Sequence, residues 1–225
     1  SDVEELVDIR KAGLDGIRDD DQGLLIGATV TFSQMQSLPS IHGTPWLAGL
    51  RDALGYPPVQ IRNTATVGGC VSASCPFFDV PTALLALGAV VTANGGKAGE
   101  RRLALPDFLA GLFVNSLEPG ELVTAVAIPR SPGRCASAFI KLEGNANDLA
   151  IVNAAAYLRV DEKKSCTDAR VALGGGVADT AVLSAAARQI LVGSKLDATT
   201  LQAASEAVTA DISPMSDHRA SAEYR

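Results

Sequence analysis

Residues that commonly build metal sites and disulfides are scarce in this 225-residue chain. It contains two isolated histidines and four cysteines, and the cysteines, at positions 70, 75, 135 and 166, form no C-x-x-C pair. Zinc and iron–sulfur sites need clustered cysteine and histidine ligands, so neither is favoured. Scattered cysteines in a chain of this size are typical of free thiols in a reducing compartment. We therefore expect a cytoplasmic protein.

Basic residues and long apolar segments are also scarce. The 19 lysines and arginines are outnumbered by 25 aspartates and glutamates, which gives a net charge of −6. Nucleic-acid binding needs Lys and Arg against phosphates, so nucleic acid is not an expected partner. No apolar run approaches the roughly 20 residues of a membrane-spanning helix, so no membrane span is predicted.

Aromatic residues make up only 4% of the chain, whereas 47% is hydrophobic. Alanine, valine and leucine must therefore build the core, as they commonly do between layers of helices and sheets. The order of strand, helix and turn signals predicts two units, residues 1–130 and 134–225, separated by a break rich in proline and glycine.

The first unit is predicted to mix strands and helices. A capping box at Thr31 and Gln34 begins a short helix, and Trp46, Leu50 and Leu54 share one stripe of another. Asp79 is predicted to cap a third helix. The predicted strands are 6–9, 14–17, 24–28, 89–93, 101–104 and 122–128.

The second unit is predicted to be an antiparallel sheet backed by helices, which gives an α+β fold. Strands are expected at 136–142, 149–160 and 169–174, and helices at 181–191 and 199–210. Residues 214–217 are predicted to cap one more helix, barely begun where the sequence stops, so this unit is expected to be truncated at its end.

The most informative segment is 61–70, IRNTATVGGC, in which a β-branched run meets Gly68 and Gly69. Without a Cβ, backbone N–H groups at a Gly-Gly turn can approach an anion closely. An alanine- and leucine-rich helix from Asp79 follows. The segment therefore predicts a cradle for the phosphates of a cofactor, with an ordinary turn as the alternative.

The chain resembles the FAD-binding medium subunits of the molybdenum hydroxylases, the family of carbon monoxide dehydrogenase and xanthine dehydrogenase. The resemblance rests on segment 61–70 and on Asp79 with its helix at the family spacing. Further matches run in the same order along nearly the whole chain. They are LVDI (6–9), IGA (26–28), PGEL (119–122), Lys141, DLA (148–150), LGG (173–175) and SAEYR (221–225).

The resemblance implies an FAD-binding PCMH-type (vanillyl-alcohol-oxidase-like) domain lacking its first lobe. A C-terminal domain like that of the carbon monoxide dehydrogenase flavoproteins follows. The absent lobe would supply half of the pyrophosphate cradle. The cofactor-binding residues implied are Tyr56, Thr66, Val67, Gly68, Gly69, Cys70, Asp79, Val123, Lys141 and Leu149.

For the nucleotide half of FAD, the resemblance implies pyrophosphate contacts from Thr66 and the two glycines. It implies that Asp79 accepts hydrogen bonds from the ribose and that Tyr56 packs on the adenine end, where the backbone of Val123 also lies. The alternatives are a strand residue for Thr66, a helix cap for Asp79, a half-buried loop aromatic for Tyr56 and core packing for Val123.

For the flavin half, the resemblance implies that Lys141 lies near the ring and stabilises negative charge on a reduced flavin. Leu149 matches the position that covers the reactive edge. The alternatives are a solvated strand end for Lys141 and core packing for Leu149. Cys70 replaces the family's asparagine, and an arginine usual after the lysine is replaced within 143–145; we expect Cys70 to be structural.

The resemblance implies an FAD-dependent electron-transfer subunit and no catalytic residue of its own. Its partners would be a molybdopterin-containing large subunit and a small subunit with two-iron–two-sulfur clusters, and its acceptor NAD, a quinone or dioxygen. Two alternatives stay open. One is a flavin-free scaffold or assembly module of the same fold, and the other is a stand-alone FAD oxidoreductase.

Overall fold

The structure is a computed structural model of the chain, and it describes residues 5–97 and 99–225. Within these residues the strands are β1 (Ile17–Asp20), β2 (Gly23–Gly27), β3 (Val90–Gly95), β4 (Arg101–Ala104), β5 (Leu109–Gly111), β6 (Val114–Asn115), β7 (Glu121–Pro129), β8 (Arg134–Leu142), β9 (Val152–Val160), β10 (Cys166–Gly174) and β11 (Val182–Leu183). The α-helices are α1 (Phe32–Gln36), α2 (Pro39–Gly43), α3 (Ala48–Gly55), α4 (Val59–Arg62), α5 (Val67–Ser72), α6 (Asp79–Ala86), α7 (Leu105–Phe108), α8 (Ala185–Leu191) and α9 (Ala198–Ala207). Short 3₁₀ helices occupy Pro45–Leu47 and Val208–Asp211.

Two larger antiparallel sheets form the framework of the described chain. The first has the strand order β1-β2-β7-β3-β4, the second has the order β11-β10-β9-β8, and β5 and β6 form a separate hairpin. The predicted α+β class is therefore confirmed. In the described part of the chain no helix combines the length and the apolar character needed to cross a bilayer.

Strand β7 is central in the first sheet, and a β-bulge near its start changes which side chains face the core. Thr92 pairs with Ala125 while the next residue, Ala93, pairs with Val123, so Thr124 is an extra residue in β7. The regular alternation of buried and exposed side chains is therefore interrupted at the start of β7. Val123 is buried and Leu122 is 39% exposed.

Helices α3 and α6 pack on the second sheet and on each other, while α5 packs on β2 and β7 of the first sheet and contacts α6. The stripe of Trp46, Leu50 and Leu54 is buried, as its spacing predicts, and α3 packs against β8. Helix α6 packs against β9 and β10. A single apolar cluster consequently runs from β2 and β7, through these helices, to Phe139 and Tyr157 in the second sheet.

The outer face of the second sheet is only partly covered. Helices α8 and α9 pack over the β10 side, where Leu191 and Ala204 belong to a separate small core. Strand β8 forms an edge of this sheet. Five exposed side chains lie along its outer face: Arg134 at its start, followed by the apolar Ala136, Ala138, Ile140 and Leu142.

Several local predictions are confirmed. The capping box is present, since Thr31 Oγ1 accepts from the Gln34 amide while Gln34 accepts from the Thr31 amide. The strands predicted at 24–28, 89–93 and 101–104 form and pair antiparallel with their neighbours, although β1 begins later than predicted. All three strands predicted in the second unit are present.

Three local predictions are wrong, and one helical turn was not predicted. Residues 6–9 are not a strand, because no neighbouring strand pairs with them among the described residues. Residues 214–217 begin no helix. The β-branched stretch before the glycines contains the helical turn α4 (Val59–Arg62). The cap of α6 is Phe78, and Asp79 is the first residue of the helix.

Candidate functional site

A cleft of about 570 Å³ opens where the first unit meets the second sheet. One wall comes from the chain around α4 and α5, the floor from the start of α6, and the other wall from the end of β8 and the loop after it. The lining residues are Phe32, Pro57, Pro58, Ile61, Thr64, Ala65, Thr66, Gly69, Cys70, Ala73, Phe78, Asp79, Val80, Lys141, Asn147, Asp148 and Leu149.

The two adjacent glycines lie in the first turn of α5 rather than in a turn between elements. Gly68 is buried, and a Cβ there would lie 2.5 Å from Ala28 Cβ and 2.7 Å from the Ala28 carbonyl oxygen. Gly69 lines the cleft, and a Cβ there would meet only Thr66 Oγ1, at 3.1 Å. Gly68 therefore permits close packing of α5 on the end of β2, whereas Gly69 leaves room in the cleft.

Most amides of this turn already have partners, which corrects the idea of a free Gly-Gly cradle. The Val67 amide donates to the Val30 carbonyl and the Gly68 amide to the Ala28 carbonyl, each at 3.0 Å. The Gly69 amide donates to Thr66 Oγ1 at 3.2 Å. Among the described residues the amide of Thr66 has no acceptor. Thr66 therefore offers the remaining donors here, from its amide and its hydroxyl.

A buried ion pair forms the base of the cleft. Lys141 Nζ lies 3.0 Å from Asp79 Oδ2, and their side chains are 2% and 7% exposed. The ammonium also lies 3.0 Å from Glu143 Oε2 and donates to the Asp148 carbonyl at 2.6 Å. Lys141 is thus not the solvated strand end of the alternative interpretation. Its charge is paired, and it connects α6, β8 and the following loop.

Asp79 is held on its other oxygen by the second sheet. Asn153 Nδ2 donates to Asp79 Oδ1 at 3.0 Å, and Thr82 Oγ1 donates to Asn153 Oδ1 at 2.8 Å. Burial raises the pKa of the Asp79 carboxyl, because its loss of hydration outweighs the charge of Lys141 and the hydrogen bonds from Lys141 and Asn153. Both carboxylate oxygens have protein partners, so Asp79 first of all joins the two units.

The loop 143–151 forms the second wall and is closed by a short set of bonds. The Ile151 amide donates to the Leu142 carbonyl at 2.9 Å, which ties its two ends together. Asp148 Oδ2 accepts from the Asn145 amide at 3.0 Å. Leu149 is 38% exposed and faces the cleft, so core packing does not account for it.

Cys70 lines the cleft but is almost fully buried, at 7% exposed. Burial strongly raises the pKa of its thiol, and the neighbouring Cys75 and Asp79 raise it further. A neutral thiol is a poor nucleophile, which agrees with a structural role. Cys70 and Cys75 are both free thiols.

Six of the ten expected cofactor-binding residues line this cleft: Thr66, Gly69, Cys70, Asp79, Lys141 and Leu149. Val67 and Gly68 lie behind it in the core, and Val123 is buried in β7. Tyr56 is half-buried at the back of Lys141. The lysine nitrogen lies 5.2 Å from the ring centroid, and the ring packs edge-on against Phe139.

The apolar lining of the cleft and the polar groups that support Asp79 were not predicted from the sequence. Phe32, Pro57, Pro58, Ile61 and Phe78 give the cleft its apolar surface. The proline pair next to Tyr56 was a usable signal, since it fixes the chain just before the glycine motif. Asn153 and Thr82 gave no local signal, because they meet Asp79 only through the fold.

These residues fit FAD. The open space in front of Gly69 is room that a side chain would fill, and the donors of Thr66 adjoin it. Apolar walls suit the flat rings of the cofactor, and Lys141 places a cation at the base. Among the described residues no cluster of three or more His, Cys, Asp or Glu is arranged to hold a metal ion.

The cleft thus suits a protein that binds FAD, and comparisons with known proteins identify its family. A family model described as the FAD binding domain in molybdopterin dehydrogenase matches residues 1–131. A model of the CO dehydrogenase flavoprotein C-terminal domain matches residues 137–225. The chain belongs to the FAD-binding subunits of the molybdopterin dehydrogenases.

Individual relatives agree. The chain is 35% identical to the 6-hydroxypseudooxynicotine dehydrogenase complex subunit alpha of Paenarthrobacter nicotinovorans, over 98% of this chain and 74% of that protein. It is 35% identical to the carbon monoxide dehydrogenase medium chain of Afipia carboxidovorans, over 99% and 76%. The carbon monoxide dehydrogenase structure from Hydrogenophaga pseudoflava, which lacks the Mo-pyranopterin moiety, superposes with a TM-score of 0.88 at 28% identity, over 96% and 74%.

The predicted family, the FAD cofactor and the assignment as an oxidoreductase subunit are therefore confirmed. The role of each residue toward FAD stays a prediction.

Proposed function

We propose that this chain is the electron-transfer subunit of a multi-subunit molybdenum hydroxylase. It would take electrons from two-iron–two-sulfur clusters of a small subunit and deliver them to NAD, a quinone or dioxygen. A large molybdopterin subunit would oxidise the organic substrate. The observation that carries the proposal is the cleft, in which room in front of Gly69, the donors of Thr66 and the buried Lys141 charge lie together.

The names of the relatives support the proposal that this chain works with partner subunits. One relative is a subunit of a dehydrogenase complex, another is the medium chain of carbon monoxide dehydrogenase, and one structure concerns the molybdenum cofactor of such an enzyme. The four free cysteines support a cytoplasmic location, where thiols stay reduced.

Within this function FAD supplies the redox chemistry, and the chain binds and orients it. We propose that Gly69 and Thr66 hold the phosphates and that Leu149 shields the cofactor from water. Lys141, whose ammonium is paired with Asp79 and Glu143, fixes the base of the cleft to the loop that carries Leu149. Asp79 pairs with this lysine, and Asn153 holds Asp79, so both residues act by fixing the position of Lys141.

The test uses the native complex and a variant of one residue. Purification of the tagged full-length chain from its host should bring down a molybdopterin subunit and an iron–sulfur subunit. In the Gly69→Val complex we expect no bound FAD, because the added methyl groups fill the room that the cofactor needs. Substrate should still reduce the iron–sulfur clusters, seen by electron paramagnetic resonance, while reduction of the external acceptor is lost.

Two results would overturn the proposal. A native protein that purifies alone and oxidises an organic substrate would favour the stand-alone oxidoreductase. If a Gly69→Val complex lacks FAD but reduces its acceptor at the normal rate, electrons do not pass through FAD.

A further inference from the structure

The loop 143–151 separates the cleft from a second cavity of about 590 Å³. Asn147, Asp148 and Leu149 line both spaces, so the loop is a shared wall. The far side of the second cavity is lined by His218 and Arg219, which belong to the segment 213–225, a stretch without helix or strand. What holds this segment therefore bears on the position of the wall.

Arg225 forms most of its hydrogen bonds within the segment 213–225. Its side chain is 0% exposed. Its Nη2 donates to Asp217 Oδ1 at 2.8 Å, and its Nη1 donates to the Ala220 carbonyl at 3.0 Å and to the Met215 carbonyl. Asp217 Oδ1 also accepts from the amides of Arg219 and Ala220. The guanidinium and this carboxylate thus give residues 213–225 a fixed shape.

The remaining bond of Arg225 leaves the segment and reaches the loop. Arg225 Nε donates to the Ile151 carbonyl at 3.1 Å. Ile151 is the residue whose amide closes the loop on Leu142, and Leu149, which faces the cleft, lies two positions before it. Lys141 holds the Asp148 carbonyl from the cleft side, and Arg225 holds Ile151 from the opposite side.

The segment also contacts the chain that leads into the cleft floor. The Arg219 guanidinium lies 4.5 Å from the ring centroid of Phe77, one residue before Phe78. The Met215 amide donates to the Gly176 carbonyl at 3.0 Å. Gly176 has φ +82°, and a Cβ there would lie 2.7 Å from the Phe77 ring and 3.3 Å from Arg225 Nε. Residues 213–225 are therefore closely packed against the chain that leads into the cleft floor, as well as bonded to the loop 143–151.

We propose that Arg225, fixed by Asp217, is a positioning residue for the FAD cleft. It holds the loop 143–151 from outside, so the C-terminal segment sets the width of the cleft and the affinity for FAD. The inference rests on the proposed placement of FAD between Gly69 and Leu149. It requires the planar fork of arginine, because a lysine cannot reach Asp217, Ala220 and Ile151 together.

The test measures the loop and the cofactor separately in the full-length protein. Hydrogen exchange of the FAD-free protein reports the amides of residues 145–151, and titration with FAD gives the dissociation constant. The variants are Arg225→Lys, Arg225→Gln and Asp217→Asn. Leu191→Ala is the matched control, since it removes packing from the small core under α8 and leaves the clamp intact.

In both Arg225 variants we expect roughly tenfold faster exchange or more at residues 145–151, the effect of losing a hydrogen bond from a charged group. We expect the FAD dissociation constant to rise roughly tenfold. Asp217→Asn should change both quantities in the same direction, because it frees the guanidinium. Leu191→Ala should lower thermal stability and leave both quantities near wild type.

Each other result counts against the proposal. Unchanged loop exchange in Arg225→Gln overturns the clamp, as does complete rescue by lysine. Faster exchange with unchanged FAD affinity overturns the positioning role while the FAD site stands. Equal effects in Leu191→Ala make the change one of general stability. A wild-type protein that binds no FAD overturns the proposed placement, and the positioning role fails with it.

Discussion

Gly68 and Gly69 are neighbours in sequence with different tasks. Both glycines are visible in the sequence, but the β-branched run before them resembles a strand. The two glycines were therefore predicted to form a single turn after that strand. The hydrogen bonds that place them at the start of α5 come from Ala28 and Val30, about 40 residues away in sequence. Neither glycine has a positive φ, so space rather than backbone freedom explains both.

Alanine at each position should separate the two tasks. Gly68→Ala should destabilise the FAD-free protein by about 1–3 kcal/mol, because its Cβ overlaps the backbone of Ala28. Gly69→Ala should leave stability within about 1 kcal/mol of wild type and weaken FAD binding at least about tenfold. Urea unfolding and FAD titration check the pair. Unchanged FAD affinity in Gly69→Ala would place the phosphates elsewhere.

The cysteines should differ in reactivity according to burial. Burial raises the pKa of the Cys70, Cys75 and Cys166 thiols, whereas Cys135 is partly exposed. A thiol reagent at pH 8 should therefore modify Cys135 first in the native FAD-free protein and the other three only after unfolding. Peptide mass spectrometry identifies the order. Early modification of Cys70 would instead indicate a reactive thiol in the cleft.

At the scale of elements, the pairing of Lys141 with Asp79 joins β8 to α6. Sequence reasoning places the strand and the helix correctly. It does not show that the lysine is buried, because its partners lie 62 residues before it and 7 residues after it. The same limit applies to the C-terminal segment. Asp217 resembles a helix cap in the sequence, but its carboxylate accepts a hydrogen bond from Arg225 instead.

Lys141→Met should cost about 3–5 kcal/mol at neutral pH, because Asp79 loses its cation and must either stay charged without a partner or take up a proton in a buried site. The pKa of Asp79 already lies above its ordinary value of 3.8 in the folded protein, and it should rise further in the variant. A raised folded pKa gives stability that is present below the ordinary value and lost as pH rises through the folded value. The deficit should therefore be larger at pH 8 than at pH 5.

Urea unfolding of the FAD-free protein at both pH values measures this deficit. Lys11→Met is the control, since Lys11 is exposed and its loss should change stability by about 0.5 kcal/mol or less at either pH. A deficit in Lys141→Met that does not depend on pH would show that Asp79 does not carry the cost.

At the scale of the whole molecule, the fold class and most strands of the two larger sheets follow from local patterns, whereas the short helices α2, α4, α5 and α7 and the hairpin of β5 and β6 were not predicted. The division into residues 1–130 and 134–225 stays a prediction. The apolar cluster that continues from the first sheet to Phe139 and Tyr157 shows why such a boundary is hard to define. Prolines and glycines mark where the chain turns, while the core depends on which surfaces meet afterwards.

The uncovered outer face of β8 has a consequence for how the protein behaves in concentrated solution. An edge strand with an apolar face can pair with a second copy, so purified chains should self-associate as concentration rises. Ile140 is 68% exposed, and Ile140→Lys should raise the concentration at which turbidity appears while changing the free energy of unfolding by about 0.5 kcal/mol or less. Light scattering and sedimentation measure the effect, with Leu201→Lys on α9, 45% exposed, as the control for added charge. Colloidal stability would then be limited by one strand edge, and equal gains from both substitutions would assign it to net charge alone.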